Sequence, residues 1–236
     1  MTPPAVELSK RQGILEPLLD GHSVAEQVEA VAGAIREHAD PPVCLIGHSW
    51  GAMLACVVAS VHPGLVDQII MVSSGPLEDS YVGAANQTRT QRLSRAAQSR
   101  VRELTHRLDD PNPPDAAKDR ALAELGDLLA SADAYAPIPH ATSHVRVRAD
   151  VFRAVWPEVV RLRTRGGLVA AAGLVRAPVL AIQGEYDSHP ADGVFVPLQR
   201  EVPDFRSVLL PRCGHVPWFE RYGRDPFYAV LRKELE

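Results

Sequence analysis

One stretch, Val43-Cys44-Leu45-Ile46-Gly47-His48-Ser49-Trp50-Gly51-Ala52, constrains this 236-residue chain more than any other. Val43 to Ile46 is a short apolar run, long enough for one buried strand and too short for a helix. Met53 to Ala59 continues as an apolar stretch suited to a buried helix, ending at His62-Pro63-Gly64. Between the two stands the pattern Gly-x-Ser-x-Gly, from Gly47 to Gly51. A strand, a tight turn with a serine at its apex and a helix make the context of a nucleophile elbow. The serine backbone is strained there, and bulk at Gly47 or Gly51 would collide with neighbouring turns.

The flanking segments supply the rest of an α/β layer structure. Ala5 to Leu8 reads as one short strand, Ser9 to Gly13 as a loop, and Ile14 to Leu19, interrupted by Pro17, as an extended or turn segment. Ser23-Val24-Ala25-Glu26 is a capping box, and Val24, Val28, Val31, Ala32 and Ile35 then share one face of a helix running to about His38. Asp40-Pro41-Pro42 ends it. Ile69 to Val72 is a second buried strand, so strand, helix and strand form a right-handed parallel crossover.

Composition changes from about Asn86 to Arg165. Arg89, Arg92, Arg95, Arg100, Arg102 and Arg107 decorate a helix with an apolar face of Leu93, Ala97, Val101, Leu104 and Leu108; these arginines read as a solvated face. Asp110-Pro111-Asn112-Pro113-Pro114 breaks it. A second helix carries Leu122, Leu125, Leu129 and Ala132, and a third spans Asp150 to Arg165 with Pro157 starting a fresh turn. Strands return at Pro178 to Gly184 and Arg206 to Pro211, with a helix at Val194 to Val202 between them. A last helix, Asp225 to Glu236, turns Phe227, Val230 and Leu231 inward. The expectation is an α/β fold: a reduced, mostly parallel sheet of four to six strands flanked by helices. Residues 1–80 and 167–236 form its core, with an inserted all-helical cap at 81–166.

The chain is long enough for one substantial core. A formal charge of −4 gives no reason to expect nucleic acid. No apolar run approaches a membrane span, and the first ten residues do not resemble a signal peptide. Cys44, Cys56 and Cys213 are an odd set without metal-ligand spacing and read as free thiols, which suits a cytoplasmic location. His140 and His144 have helical ligand spacing but no third partner, so no metal site is expected. There is no glycine-rich phosphate loop, and no cofactor is called for.

A serine hydroxyl needs a base to take its proton, and a histidine suits that task near neutral pH. A carboxylate then fixes the tautomer of the base and stabilises its imidazolium. In a doubly wound sheet these groups belong at the carboxyl ends of strands. Asp187 lies just past the strand ending at Gly184, and His215 just past the strand ending at Leu210. With Ser49 they follow the chain order Ser, Asp, His. Glu185 and Asp192 are rivals for the acid and His189 for the base, although its place before Pro190 favours a turn.

The segments Gly47-His48-Ser49-Trp50-Gly51, Gly184-Glu185-Tyr186-Asp187 and Cys213-Gly214-His215 resemble those of the α/β-hydrolase superfamily, over roughly residues 40 to 236. More narrowly, Gly13 to Pro17, Asp187 to Val194 and His215 to Tyr222 look like a group of its short members. The resemblance implies Ser49 as nucleophile, Asp187 as acid, His215 as base and the Trp50 amide as one oxyanion donor. A departure lies at the front. Only 42 residues precede Val43, and the His-Gly loop that supplies a second oxyanion amide in the superfamily is missing, so Gly13 in the Ser9 to Gly13 loop becomes the position to watch. His48, Trp156 and Val216 join it as candidate substrate-binding residues, and Val151, Phe152 and Val155 are possible pocket lining.

The expected activity is that of an esterase-like serine hydrolase, acting on an ester, thioester or amide carbonyl of a small molecule. Two alternatives stay open. The same triad, in a water-poor pocket, could serve general-base cyclisation, elimination or carbon–carbon cleavage; or the fold could be a non-catalytic binding protein.

Overall fold

Successive side chains of the continuous apolar runs in the central strands point to opposite faces of the sheet, and this period of two decides how the layers form. A computed structural model describes residues 1–110, 114–139 and 147–236. Its strands are β1 (Val43–His48), β2 (Val66–Val72), β3 (Val179–Gly184) and β4 (Phe205–Leu210). They pair in parallel in the spatial order β1-β2-β3-β4. Ile69, Met71, Val179 and Ala181 face one core, while Ile70, Val72, Leu180 and Ile182 face another on the opposite side. A parallel sheet buried on both faces needs helices on both, and the crossovers supply them.

The helices in chain order are α1 (Pro3–Leu8), α2 (Val24–His38), α3 (Trp50–Val61), α4 (Val82–Arg92), α5 (Arg95–Asp109), α6 (Asp115–Asp133), α7 (Ala149–Thr164), α8 (Gly167–Leu174), α9 (Asp192–Glu201) and α10 (Arg224–Glu234). Residues of α2, α3, α7, α8 and α9 cover the first face, and Leu8 of α1 with Phe227, Tyr228 and Leu231 of α10 cover the second. The chain therefore holds a four-stranded α/β core, and helices α4 to α8 lie between β2 and β3 in the chain. β1 pairs only with β2 among the described residues, so the strand leading into Ser49 is an edge strand, with Ile46 at 37% exposure.

Several expectations need correction. Ala5 to Leu8 is helical, because the Thr2 hydroxyl caps the Ala5 amide and Pro3 and Pro4 fill the first helical positions, where no amide donor is needed. The arginine-bearing helix is two helices. α4 ends at Arg92, and Ser94 starts α5 by accepting from the Ala97 amide, so Leu93 lies in the break. Only Leu104 and Leu108 of its expected apolar face are fully buried, against Ala121 and Ala149. Pro157 sits inside α7 rather than opening a new turn. Helix α8, rich in alanine and glycine, has no counterpart in the sequence reading. In the capping box at α2 the Ser23 hydroxyl accepts from the Glu26 amide as expected, but the Glu26 carboxylate reaches back to the His22 amide, one residue earlier than the motif implies. Pro111, Asn112, Pro113, His140 and His144 lie outside the described residues. No helix among the described residues is long and apolar enough to cross a membrane.

Candidate active site

β1 runs straight into Ser49, which has φ 55° and ψ −117°, a left-handed conformation rare for a residue with a side chain. Such a backbone costs on the order of 1–3 kcal/mol and persists only where its surroundings fix it. Here the Ser49 amide donates to Val72 O at 3.0 Å, tying the turn to the end of β2. A Cβ at Gly47 would stand 2.1 Å from Gly51 O, so the turn closes only with glycine there. Trp50 is the first residue of α3, and its amide is one of the helix-start donors without an intrahelical acceptor. The Trp50 indole is anchored away from the turn, donating to Gln27 Oε1 at 2.9 Å.

Asp187 and His215 come together because the ends of β3 and β4 are laced side by side. Glu185 N donates to Leu210 O, and Tyr186 N donates to Cys213 O. His215 Nδ1 then donates to Asp187 Oδ2 at 2.7 Å, which leaves Nε2 of the neutral ring with its lone pair. The Asp187 side chain is completely buried. Its Oδ2 also accepts from Gln183 Nε2 at 3.1 Å, and its Oδ1 accepts from the His189 amide at 3.0 Å and His189 Nδ1 at 3.1 Å. Every acceptor position of the carboxylate is filled.

His48 bridges the elbow to this pair. Its ring lies 4.8 Å from that of His215 and 4.8 Å from that of Trp218, and its Nε2 donates to His215 O at 2.9 Å. Ser49 follows His48 directly, so the serine turn and the His215 loop share this contact. Among the described residues no hydrogen bond runs from the Ser49 hydroxyl to His215.

Burial alone would raise the Asp187 carboxyl, but the charges and hydrogen bonds of His215 and His189 outweigh it and hold the group well below the usual carboxylate range. His48 also lies below its ordinary range. Burial first, and then the neighbouring His215, push it down to about 3, so it is neutral and donates as a plain hydrogen-bond partner. Burial also lowers His189. The ligating atoms of Asp187, His189 and His215 all lie within 4.8 Å of one another. Both imidazole Nδ1 atoms in that group spend their protons on the carboxylate.

The remaining candidates fall in different places. Glu185 and Asp192 are both exposed; Glu185 accepts from the Arg212 amide and Asp192 begins α9, so the carboxylate bonded to His215 is Asp187. Val216 adjoins His215 and accepts from the Phe219 amide. Gly13 is exposed beyond the end of α1, with no hydrogen bond to Ser49 or Trp50 among the described residues. Val151 and Val155 pack into the main core rather than lining a pocket, while Phe152 and Trp156 stack on each other at 5.9 Å, both partly exposed.

Three residues that the sequence did not assign to the site complete it. Gln183, fully buried on β3, donates to Asp187. Glu220, also buried, accepts from the amides of Tyr135, Ala136 and Gly214 and so fixes the His215 loop against the end of the inserted helices. Arg89 contacts both Asp133 and His189. That last pairing overturns the solvated-face reading at two positions, since Arg92 also turns inward, with its guanidinium 3.5 Å from the Tyr186 ring centre. Glu220 stands in a motif, and an acid directly after Trp218 and Phe219 is a weak signal of burial. Nothing local marks the other two.

A family model described as alpha/beta hydrolase fold matches residues 16–222. Among solved structures, the chain resembles VinJ with a TM-score of 0.63 at 18% identity, over 92% of this chain and 73% of that one. It resembles proline iminopeptidase from Mycobacterium smegmatis with a TM-score of 0.56 at 18% identity, over 92% and 74%. For E-2-(acetamidomethylene)succinate hydrolase the TM-score is 0.56 at 21% identity, over 98% and 83%. At these identities the likeness is one of fold. Among curated proteins none matches by sequence.

Proposed function

The chain belongs to the α/β-hydrolase fold family, and from that membership we propose that it is a serine hydrolase acting on an ester, thioester or amide carbonyl of a small molecule. Ser49 Oγ attacks the carbonyl carbon while His215 Nε2 takes its proton; Asp187 accepts from Nδ1 on the other edge of the ring and stabilises the imidazolium. The Trp50 amide, at the start of α3, receives the oxyanion, a donor worth about 3 kcal/mol of transition-state stabilisation in such sites. Collapse of the tetrahedral intermediate expels the leaving group, which takes the proton back from His215, and leaves an acyl group on Ser49. Water, deprotonated by the same histidine, then releases the acid.

The observation that carries this reading is the 2.7 Å hydrogen bond from His215 Nδ1 to a wholly buried Asp187, with a serine held at φ 55° directly after the His48 that bonds to the His215 main chain. The inserted helices α4 to α7 take the role of a cap, supported by Arg89 and Arg92 of α4 resting on the loop that carries Asp187. Three free thiols fit a reducing, cytoplasmic setting.

A fluorophosphonate probe tests the proposal. Folded wild-type protein becomes labelled on Ser49, and Ser49→Ala abolishes both labelling and turnover of a p-nitrophenyl ester while leaving the circular dichroism unchanged. A folded wild type that takes no label, or label that survives in Ser49→Ala, overturns it.

A further inference from the structure

Arg89 lies on α4, within the inserted helices, yet it reaches the acid loop. Its Nε and Nη2 grip Asp133 at 3.0 and 2.7 Å, and that carboxylate is 3% exposed. Its Nη2 also stands 3.2 Å from His189 Nε2. A guanidinium carries donors only and stays protonated. The His189 nitrogen facing it is therefore the acceptor, and the single proton of that ring sits on Nδ1, where it is donated to Asp187 Oδ1 at 3.1 Å. The carboxylate on one side and the guanidinium on the other thus demand the same tautomer, and the guanidinium alone opposes a second proton.

We infer that Arg89 and His189 form a positioning pair for the acid: Arg89, fixed by Asp133, locks His189 as a neutral Nδ1–H donor, and His189 clamps Asp187 so that its other oxygen faces His215. The inference rests on the reading of Asp187 and His215 as acid and base. Neither residue of the pair needs to touch substrate.

The surroundings of His189 support a ring held neutral. Arg89 faces it from α4, Asp187 from its own loop, and His215 from the loop after β4 at 5.0 Å between ring centres, with His48 behind His215. A second proton on His189 would point straight at the guanidinium, so burial and Arg89 together oppose the attraction of Asp187. The clamp also has a mechanical side. The residue that anchors Arg89 by its carboxylate, Asp133, accepts from the His215 amide at 3.0 Å through its carbonyl. Arg92, one turn further along α4, donates to Ala132 O and Tyr186 O. Acid loop and base loop are therefore referenced to one point at the end of α6.

Two donors on Oδ1 draw negative charge away from Oδ2 and weaken its hold on a protonated His215. Removing the His189 ring strengthens that hold, so the acid limb of kcat/KM moves to higher pH.

Histidine ring nitrogen NMR on the 15N-labelled full chain reads the first part without any turnover. The His189 signals, identified by their loss in His189→Asn, stay those of a neutral Nδ1–H ring from pH 5 to 8 in the wild type; in Arg89→Met that ring titrates within the window. Arg89→Lys, which keeps a cation, keeps it neutral, and Arg89→Gln, polar but uncharged, decides the point if Arg89→Met does not fold. The pH profile of p-nitrophenyl butyrate hydrolysis reads the second part. His189→Ala loses about tenfold in kcat and raises the acid limb by about half a pH unit, and His189→Asn, whose side-chain amide restores a donor, brings both back towards the wild type. A wild-type His189 that titrates between pH 5 and 8, or carries its proton on Nε2, overturns the pair. So does an acid limb identical in wild type and His189→Ala, which marks a merely structural role. A wild type that takes no fluorophosphonate label defeats the hydrolase reading instead and leaves the NMR result standing.

Discussion

His48 occupies the motif position before Ser49 and was expected to line the substrate site, but its ring is wedged between His215 and Trp218 with its donor committed to a main-chain oxygen. That placement has a pH consequence. The folded ring titrates near 3 and an unfolded histidine near 6.5, so below about pH 6.5 the unfolded state binds the extra proton and stability falls as pH drops. Allowing for the partial exposure of this ring, the loss between pH 7 and 5 is on the order of 1–2 kcal/mol. Urea unfolding at the two pH values will show it, and His48→Gln will flatten the difference. Asp187 contributes in the opposite range: its carboxyl is held low, so its stabilisation is present above about pH 4 and disappears only in stronger acid.

At the scale of elements, the contact between the end of α6 and the loop after β4 is the joint that sets the base. Glu220 accepts three backbone amides there, two from residues 135–136 and one from Gly214. Glu220→Gln turns one acceptor into a donor facing an amide, which costs about 2–3 kcal/mol and lowers kcat together with stability. Gly214 sits in the same joint, where an added Cβ would lie 2.0 Å from Asp133 O. Gly214→Ala therefore forces the His215 loop off the inserted helices. The expected outcome is a loss of about 3 kcal/mol in chemical denaturation, and an activity that fails even where the fold survives.

On the scale of the whole molecule, α7 ties the inserted helices to the sheet. Val151, Val155 and Val159 of α7 belong to the same buried cluster as Met53, Ile69 and Val179, while Leu104, Leu108, Ala121 and Ala149 form a smaller cluster of their own. Sheet and insertion should therefore unfold together. Val159→Ala, at a position with no exposure, is expected to lower stability by about 2 kcal/mol and shift one cooperative transition seen alike by circular dichroism and tryptophan fluorescence. Two separated transitions would show an independently folding insertion.

The sequence by itself determined the strand–turn–helix around Ser49, the four strands of the sheet and the parallel crossover, because apolar period and turn chemistry act over a few residues and need no distant partner. It also placed Asp187 and His215 at strand ends, since chain order and strand boundaries are local properties. Helix α1 and the break after Arg92 were missed because a single hydroxyl cap outweighed the apolar pattern in each. Only the tertiary structure decided which carboxylate meets His215, that β1 lies at the edge of the sheet, and that Arg89, Gln183 and Glu220 converge on the site. Arg89 and Glu220 come from far along the chain, and a charged side chain reads as surface until a buried partner is brought against it; Gln183 stands four residues from Asp187, but only the turn after β3 folds the two together.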